Sequence, residues 1–153
     1  MLVRNVHWSG APWRSFASHP KAFDRPEHLL ESWECAPAGT ESKPKDDERW
    51  RAVRVEENGV VNLNALYPLS QQSVWVRTQI TGRGCEENIH LMLGFSDQMT
   101  LWLNHQLVFE GQWLFNPPDE DGRVRVDSQR IPVRIGPGLD TILAKMFLQE
   151  SYG

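Results

Sequence analysis

After Arg49 the apolar residues fall into a period of two, and that alternation constrains this 153-residue chain more than any other feature. Val74, Val76, Thr78 and Ile80 alternate with Trp75, Arg77 and Gln79, the pattern of a strand with one buried face. Ile89, Leu91, Leu93 and Phe95 interleave with His90, Met92 and Gly94, which predicts burial on both faces. Leu101 and Leu103 run into Asn104-His105 and then Leu107-Val108-Phe109, a tight hairpin. Val124 and Val126 alternate with Arg123 and Arg125, and Ile131, Val133 and Ile135 with Arg130, Pro132 and Arg134. A last strand is expected from about Thr141 to Leu148, after Gly136-Pro137-Gly138. An earlier hairpin is expected where Trp50, Ala52, Val53 and Val55 lead through Asn58-Gly59 into Val60-Val61-Asn62-Leu63. Short strands with closely spaced turn signals predict an all-β antiparallel sandwich. The absence of an internal repeat excludes a propeller or solenoid.

The expected division is a single domain over 1–153, with 1–49 mostly irregular and the main strands in 50–153. Pro12, Pro20, Pro26, Pro37 and Pro44 interrupt the first third, where one short helix is expected over Asp24 to Glu31. Asp24 would cap it, with Pro26 in the first turn and Glu27 at the capping-box position. Between Glu41 and Asn58, six acidic and five basic residues nearly cancel, so the segment reads as a solvated loop and not a binding tail.

Twenty acidic against 16 basic residues give a net charge of −4, which argues against a nucleic-acid partner. No apolar run approaches the ~18 residues of a membrane-spanning helix. No signal peptide is visible at the N-terminus, so a cytoplasmic location is the default expectation. Cys35 and Cys85 can pair, but two buried free thiols are the expectation, and there is no cysteine-rich scaffold or four-cysteine zinc site.

No nucleophile elbow occurs: Gly94-Phe95-Ser96-Asp97-Gln98 fails at its last position. The five histidines, His7, His19, His28, His90 and His105, sit in no local catalytic signature, and Gly82-Arg83-Gly84 is too short for a phosphate loop. The chain is therefore expected not to be an enzyme. Asp119-Glu120-Asp121-Gly122 resembles the start of a calcium loop, but the closing Glu of an EF-hand is missing, so a solvated hairpin tip is expected.

Seven Trp are far above ordinary usage, and Trp supplies both core volume and flat stacking faces. Most of them are expected in the core. Trp102 lies on the opposite strand face from Leu101 and Leu103, either packed under a second layer or presented outward. The candidate ligand site is the Pro-bearing connection from Gly111 to Asp119. There Trp113 could stack on a sugar ring while Asn116, Asp119 and Asp121 grip hydroxyls. Equally, Trp113 and Phe115 could plug the end of the sandwich. Arg123, Arg125, Arg130 and Arg134 are expected on an outer face balanced by Asp119, Glu120, Asp121 and Asp127.

Three stretches together carry a family resemblance. They are Leu91-Met92-Leu93-Gly94-Phe95-Ser96-Asp97, Thr100-Leu101-Trp102-Leu103-Asn104 leading to Leu107-Val108-Phe109-Glu110-Gly111, and residues 131–146 around Gly136-Pro137-Gly138. With Trp33, Trp50 and Gly59-Val60-Val61-Asn62-Leu63 in the same order, residues 30–153 resemble a galactose-binding-like jelly roll. Carbohydrate-binding modules and accessory sandwiches of glycoside hydrolases share that fold.

The resemblance implies a jelly-roll β-sandwich and a non-catalytic carbohydrate-binding or accessory role. It also allows a structural calcium held by loop carbonyls. Two positions depart from the pattern: His105 replaces the usual Gly, and Asp140 the usual Asn. His105 must then take the positive φ of a primed hairpin turn, or the turn is of another type. Family members often continue beyond the position of Gly153, so a piece of a longer protein, or an unusually short member, is expected. The rival expectation is an interaction module whose Trp-rich surface packs on a neighbouring domain or on a second copy.

Overall fold

The computed structural model describes residues 30, 32–55, 60–68, 71–82, 84–113 and 128–148, and only the backbone of 2–8, 115–116 and 120–121. Eleven strands are present: β1 (Leu2–Trp8), β2 (Trp33–Ala38), β3 (Arg51–Val53), β4 (Ser73–Thr81), β5 (Glu87–Gly94), β6 (Asp97–Leu103), β7 (Gln106–Trp113), β8 (Phe115–Asn116), β9 (Glu120–Asp121), β10 (Gln129–Ile135) and β11 (Leu139–Phe147). They form a six-stranded sheet ordered β3-β2-β4-β11-β6-β7, a three-stranded sheet ordered β1-β5-β10, and the ribbon β8-β9. Every pairing is antiparallel. The two larger sheets share one core and make a β-sandwich, as the alternation predicts.

The core follows from the period of two. Ile89, Leu91 and Leu93 of β5, with Ile131, Val133 and Ile135 of β10, are buried in the same cluster as Val74, Val76, Met99, Leu101, Ile142 and Ala144 of the large sheet. Arg130 and Arg134 alternate with the buried β10 residues and stay exposed. As expected, Met92 and Gly94 on the other face are buried too, while His90 is half-buried.

Four features of the first half differ from expectation. Residues 1–49 contain two full strands, β1 and β2. Pro37 is tolerated in β2 because β3 pairs only with Trp33 to Cys35, so no neighbour on that side asks for the missing N–H. The strand expected to lead into Asn58-Gly59 is a three-residue β3 that pairs with β2; the turn itself, residues 56–59, lies outside the described residues. Beyond them, Asn62 Oδ1 accepts from Ala65 N at 3.2 Å, and Leu63 O accepts from Leu66 N and Tyr67 N, so the segment turns instead of extending. Lastly, Trp75, expected on a wet face, is 0% exposed.

The expected helix over 24–31 lies outside the described residues, apart from Leu30, which packs on the core. The expected strand around Val124 and Val126 also lies outside them.

Both cysteines are free, Cys35 buried and Cys85 exposed, so the expected pair of buried thiols is half corrected. Tyr67 donates its hydroxyl to Cys35 Sγ at 3.3 Å. Burial, and then that bond, push the Tyr67 hydroxyl above the ordinary phenol range. It therefore stays protonated as a donor to a packed, structural thiol.

The hairpin turns are as the residues demand. Asn104 (φ 47°) and His105 (φ 69°) both take positive φ, as a primed two-residue turn requires. At the neighbouring tip, Gly82 N donates to Gly138 O at 2.8 Å, and a Cβ on Gly82 would sit 2.0 Å from Gly136 O. Backbone faces backbone there. Gly82→Ala is expected to cost about 1–3 kcal/mol by overpacking, read from thermal melts. Gly138→Ala should be near neutral, since nothing lies within 4 Å of its added Cβ. Equal effects would show that the tips do not meet in this way.

Candidate functional site

Of the residues expected to grip a sugar, Trp113 is placed differently from expectation. Trp113 is not in a loop: it ends β7, pairs with Asp97 of β6, and packs half-buried against the sandwich core. The strand runs on through Gly111 and Gln112 because main-chain pairing to β6 continues, although no apolar alternation marks it. Asn116 lies in β8 and Asp121 in β9, where the backbone pairs Phe115 with Asp121 and Asn116 with Glu120. The connection is thus a small antiparallel ribbon. Asp119 and Gly122 lie outside the described residues. Among the described residues, no three His, Cys, Asp or Glu side chains gather as a metal site.

A second aromatic cluster, which the sequence reading did not assemble, lies on the outward face of the six-stranded sheet. Ala36, Ala38 and Trp75 are buried there, with Trp50, Trp102 and Leu143 half-buried around them. Trp75 and Trp102 pack with ring centroids 5.8 Å apart at 53°. The Arg77 guanidinium lies 3.9 Å from the centre of the Trp50 ring, and its Nε donates to Glu34 Oε2 at 2.7 Å. Trp102 packs against this cluster and keeps part of its surface open.

A strap begins at Gly39. Lys145 Nζ donates to Gly39 O at 2.7 Å and Glu41 O at 2.6 Å, and sits 5.0 Å from the centre of the Trp75 ring. The backbone N–H of Gly39 and then its own hold the Glu41 carboxyl below the usual carboxylate range. The Trp75 N–H lies near that carboxylate but forms no hydrogen bond with it. A cationic latch therefore fixes the strap at Trp75, which is fully buried, while Trp102 and Leu143 are half-buried.

Glu34, Arg77, Leu143, Trp102 and Leu107 are successive cross-strand partners on β2, β4, β11, β6 and β7. Partners directly across a ladder share a face, so these five form one row perpendicular to the strands. The row joins an ion pair to an apolar and aromatic stretch, and Leu107 at its end is 53% exposed. Such a surface can stack on a flat apolar ring and offer both donors and acceptors beside it. The signal in the sequence was the placement of Trp75 and Trp102 out of phase with the buried residues. The part played by Glu34 had none, because β2 was read as irregular.

The His90 imidazole, on the other sheet, is held below its usual range by partial burial and then by Arg130. It is a neutral surface group near pH 7.

No protein-family model matches the sequence, and no curated protein matches it. Among solved structures, a beta-glucuronidase from Faecalibacterium prausnitzii is similar over 76% of this chain, at 13% identity and a TM-score of 0.45. The chain spans 20% of the length of that enzyme.

Proposed function

We propose that this domain is a non-catalytic carbohydrate-binding or accessory module of a carbohydrate-active protein, with the jelly-roll topology of the galactose-binding-like family. The supporting observation is the gathering of Trp50, Trp75 and Trp102 on the outward sheet face, beside the Glu34–Arg77 pair and away from the inter-sheet core. A sandwich that needs Trp only for its core has no use for three of them there. Binding by stacking and hydrogen bonding asks for no bond chemistry, so no nucleophile or general acid is assigned. The test is a glycan array with the purified domain, followed by isothermal titration of the best ligand. Absence of any glycan ligand would overturn the reading.

The end of β7 is the second contact surface in this proposal, with Trp113 stacking and Asn116, Asp119 and Asp121 binding hydroxyls. Trp113→Ala should then weaken glycan binding by about 5- to 150-fold, the range of a 1–3 kcal/mol stacking contact. Circular dichroism controls for folding. Unchanged affinity in a folded variant would remove this set and make Trp113 a packing residue of the sandwich end.

A specific observation also favours the interaction-module reading: Leu107 and Leu139 are 53% and 59% exposed at the surface of the large sheet. Exposed large aliphatics of this kind suit a docking neighbour. Self-association, measured by light scattering and abolished by Leu107→Ser, would support that reading over the first.

A further inference from the structure

We propose that the row Glu34, Arg77, Leu143, Trp102 and Leu107 is the primary glycan subsite, and that it takes a neutral oligosaccharide lying across the strands. This rests on the carbohydrate-binding reading and names its site and ligand class. Three observations carry it.

The first is placement. Trp75 is fully buried beside the strap anchored by Lys145, whereas in the neighbouring row Trp102 and Leu143 are half-buried and the Arg77 and Glu34 side chains are 37% and 45% exposed. The Trp75 ring packs against Trp102 in a tilted pair, so the stacking residue is braced before any ligand arrives.

The second is spacing. Arg77 and Trp102 are separated by two inter-strand steps, roughly 10 Å at ordinary sheet spacing. A ring stacked on Trp102 therefore leaves its linked neighbour over Leu143 and within reach of the Glu34–Arg77 pair. A chain running along the strands would meet only one member of the row.

The third is charge. Arg77 is neutralised by Glu34, and the Lys145 ammonium is engaged by two backbone carbonyls. Arg77 and Lys145, cations among the described residues of this face, are thus already occupied, and an acidic sugar gains no unpaired positive charge from them. A neutral hydroxyl gains both a guanidinium donor and a carboxylate acceptor from the same pair.

The experiment is titration of the ¹⁵N-labelled domain with cellotetraose, xylotetraose and galactobiose, with oligogalacturonate as the anionic comparison, together with calorimetry on Trp102→Ala. Expected are movement of the Trp102 indole resonance in the wild type, a loss of about 5- to 150-fold in affinity for the variant, and preference for the neutral probes. Should Trp102→Ala fail to fold, the wild-type indole titration decides alone. Binding that leaves the Trp102 resonance in place, or affinity unchanged in the folded variant, overturns this site while the carbohydrate reading stands. Preference for oligogalacturonate overturns the ligand class. No binding to these probes or to any glycan on the array overturns the reading and the site with it.

Discussion

Leu101→Ala is expected to lower the unfolding free energy by about 2–5 kcal/mol. Leu101 is 1% exposed on β6, inside its sheet, with Ala144 of β11 and Phe109 of β7 as its cross-strand partners. Its side chain lies in the cluster shared by the two sheets, so removing it opens a cavity at the centre of the sandwich. The strands on either side are hydrogen-bonded to β6 and cannot freely collapse into the space, which places the cost above simple transfer of the lost methylenes. Against a typical total of about 5–15 kcal/mol, that is a large fraction of what keeps the domain folded. Gln112→Ala, at an exposed position of β7, should stay within about 0.5 kcal/mol. Urea titrations compare midpoints at constant slope. A Leu101 variant as stable as the Gln112 variant would mean that the outward and inward faces of β6 are exchanged, since a one-residue slip in register reverses every side chain.

That reversal is what sequence alone could settle, and it did so where one face meets only the core. β4, β5, β6, β10 and β11 are legible because each carries buried apolar residues at alternate positions, whatever stands between them. β2 is not. Pro37 and the small Ala36 and Ala38 hide the alternation of Trp33 with Cys35, and only the brevity of β3 makes that proline harmless. The Asn58-Gly59 turn lies outside the described residues; on either side of it β3 pairs with β2 and the chain turns at Asn62. Trp75 could not be placed because its cover comes from a strap fastened by a lysine 70 residues further along the chain, a purely tertiary contact.

The same division holds for the candidate site. Trp102 stood out as a residue on the wrong face for the core, and the hairpin after it was fixed by Asn104 and His105. The neighbours that make Trp102 a surface feature are set by strand order β2-β4-β11-β6-β7, in which no two adjacent members but β6 and β7 are consecutive in sequence. Trp113 was assigned to a loop because β7 beyond Phe109 is held by ladder hydrogen bonds and not by apolar pattern.

Asp140→Asn, which restores the residue common in the resembling family, is expected to destabilise this protein by about 1–3 kcal/mol. Asp140 is 5% exposed, and both its oxygens accept: Oδ1 from Asn104 Nδ2, and Oδ2 from Gly136 N at 2.8 Å. Asn104 in turn uses its Oδ1 to accept from Thr141 N at 2.8 Å, and its own N donates to Thr141 O at 3.0 Å. These bonds join the β6-β7 turn to the β10-β11 turn. An asparagine at 140 has one acceptor where the site offers two donors, so its amide must face either Gly136 N–H or the Asn104 amide. Turning Asn104 over relieves that conflict only by aiming its amide at Thr141 N–H. The carboxylate is therefore required by the donors around it, and Asn104→Ala should reduce the cost of Asp140→Asn. A double-mutant cycle on unfolding free energies measures the coupling, which contacting residues of this kind show at about 0.5–3 kcal/mol. Additive effects would mean that Asp140 stabilises its own turn through Gly136 alone and that the two hairpin tips are joined by the backbone.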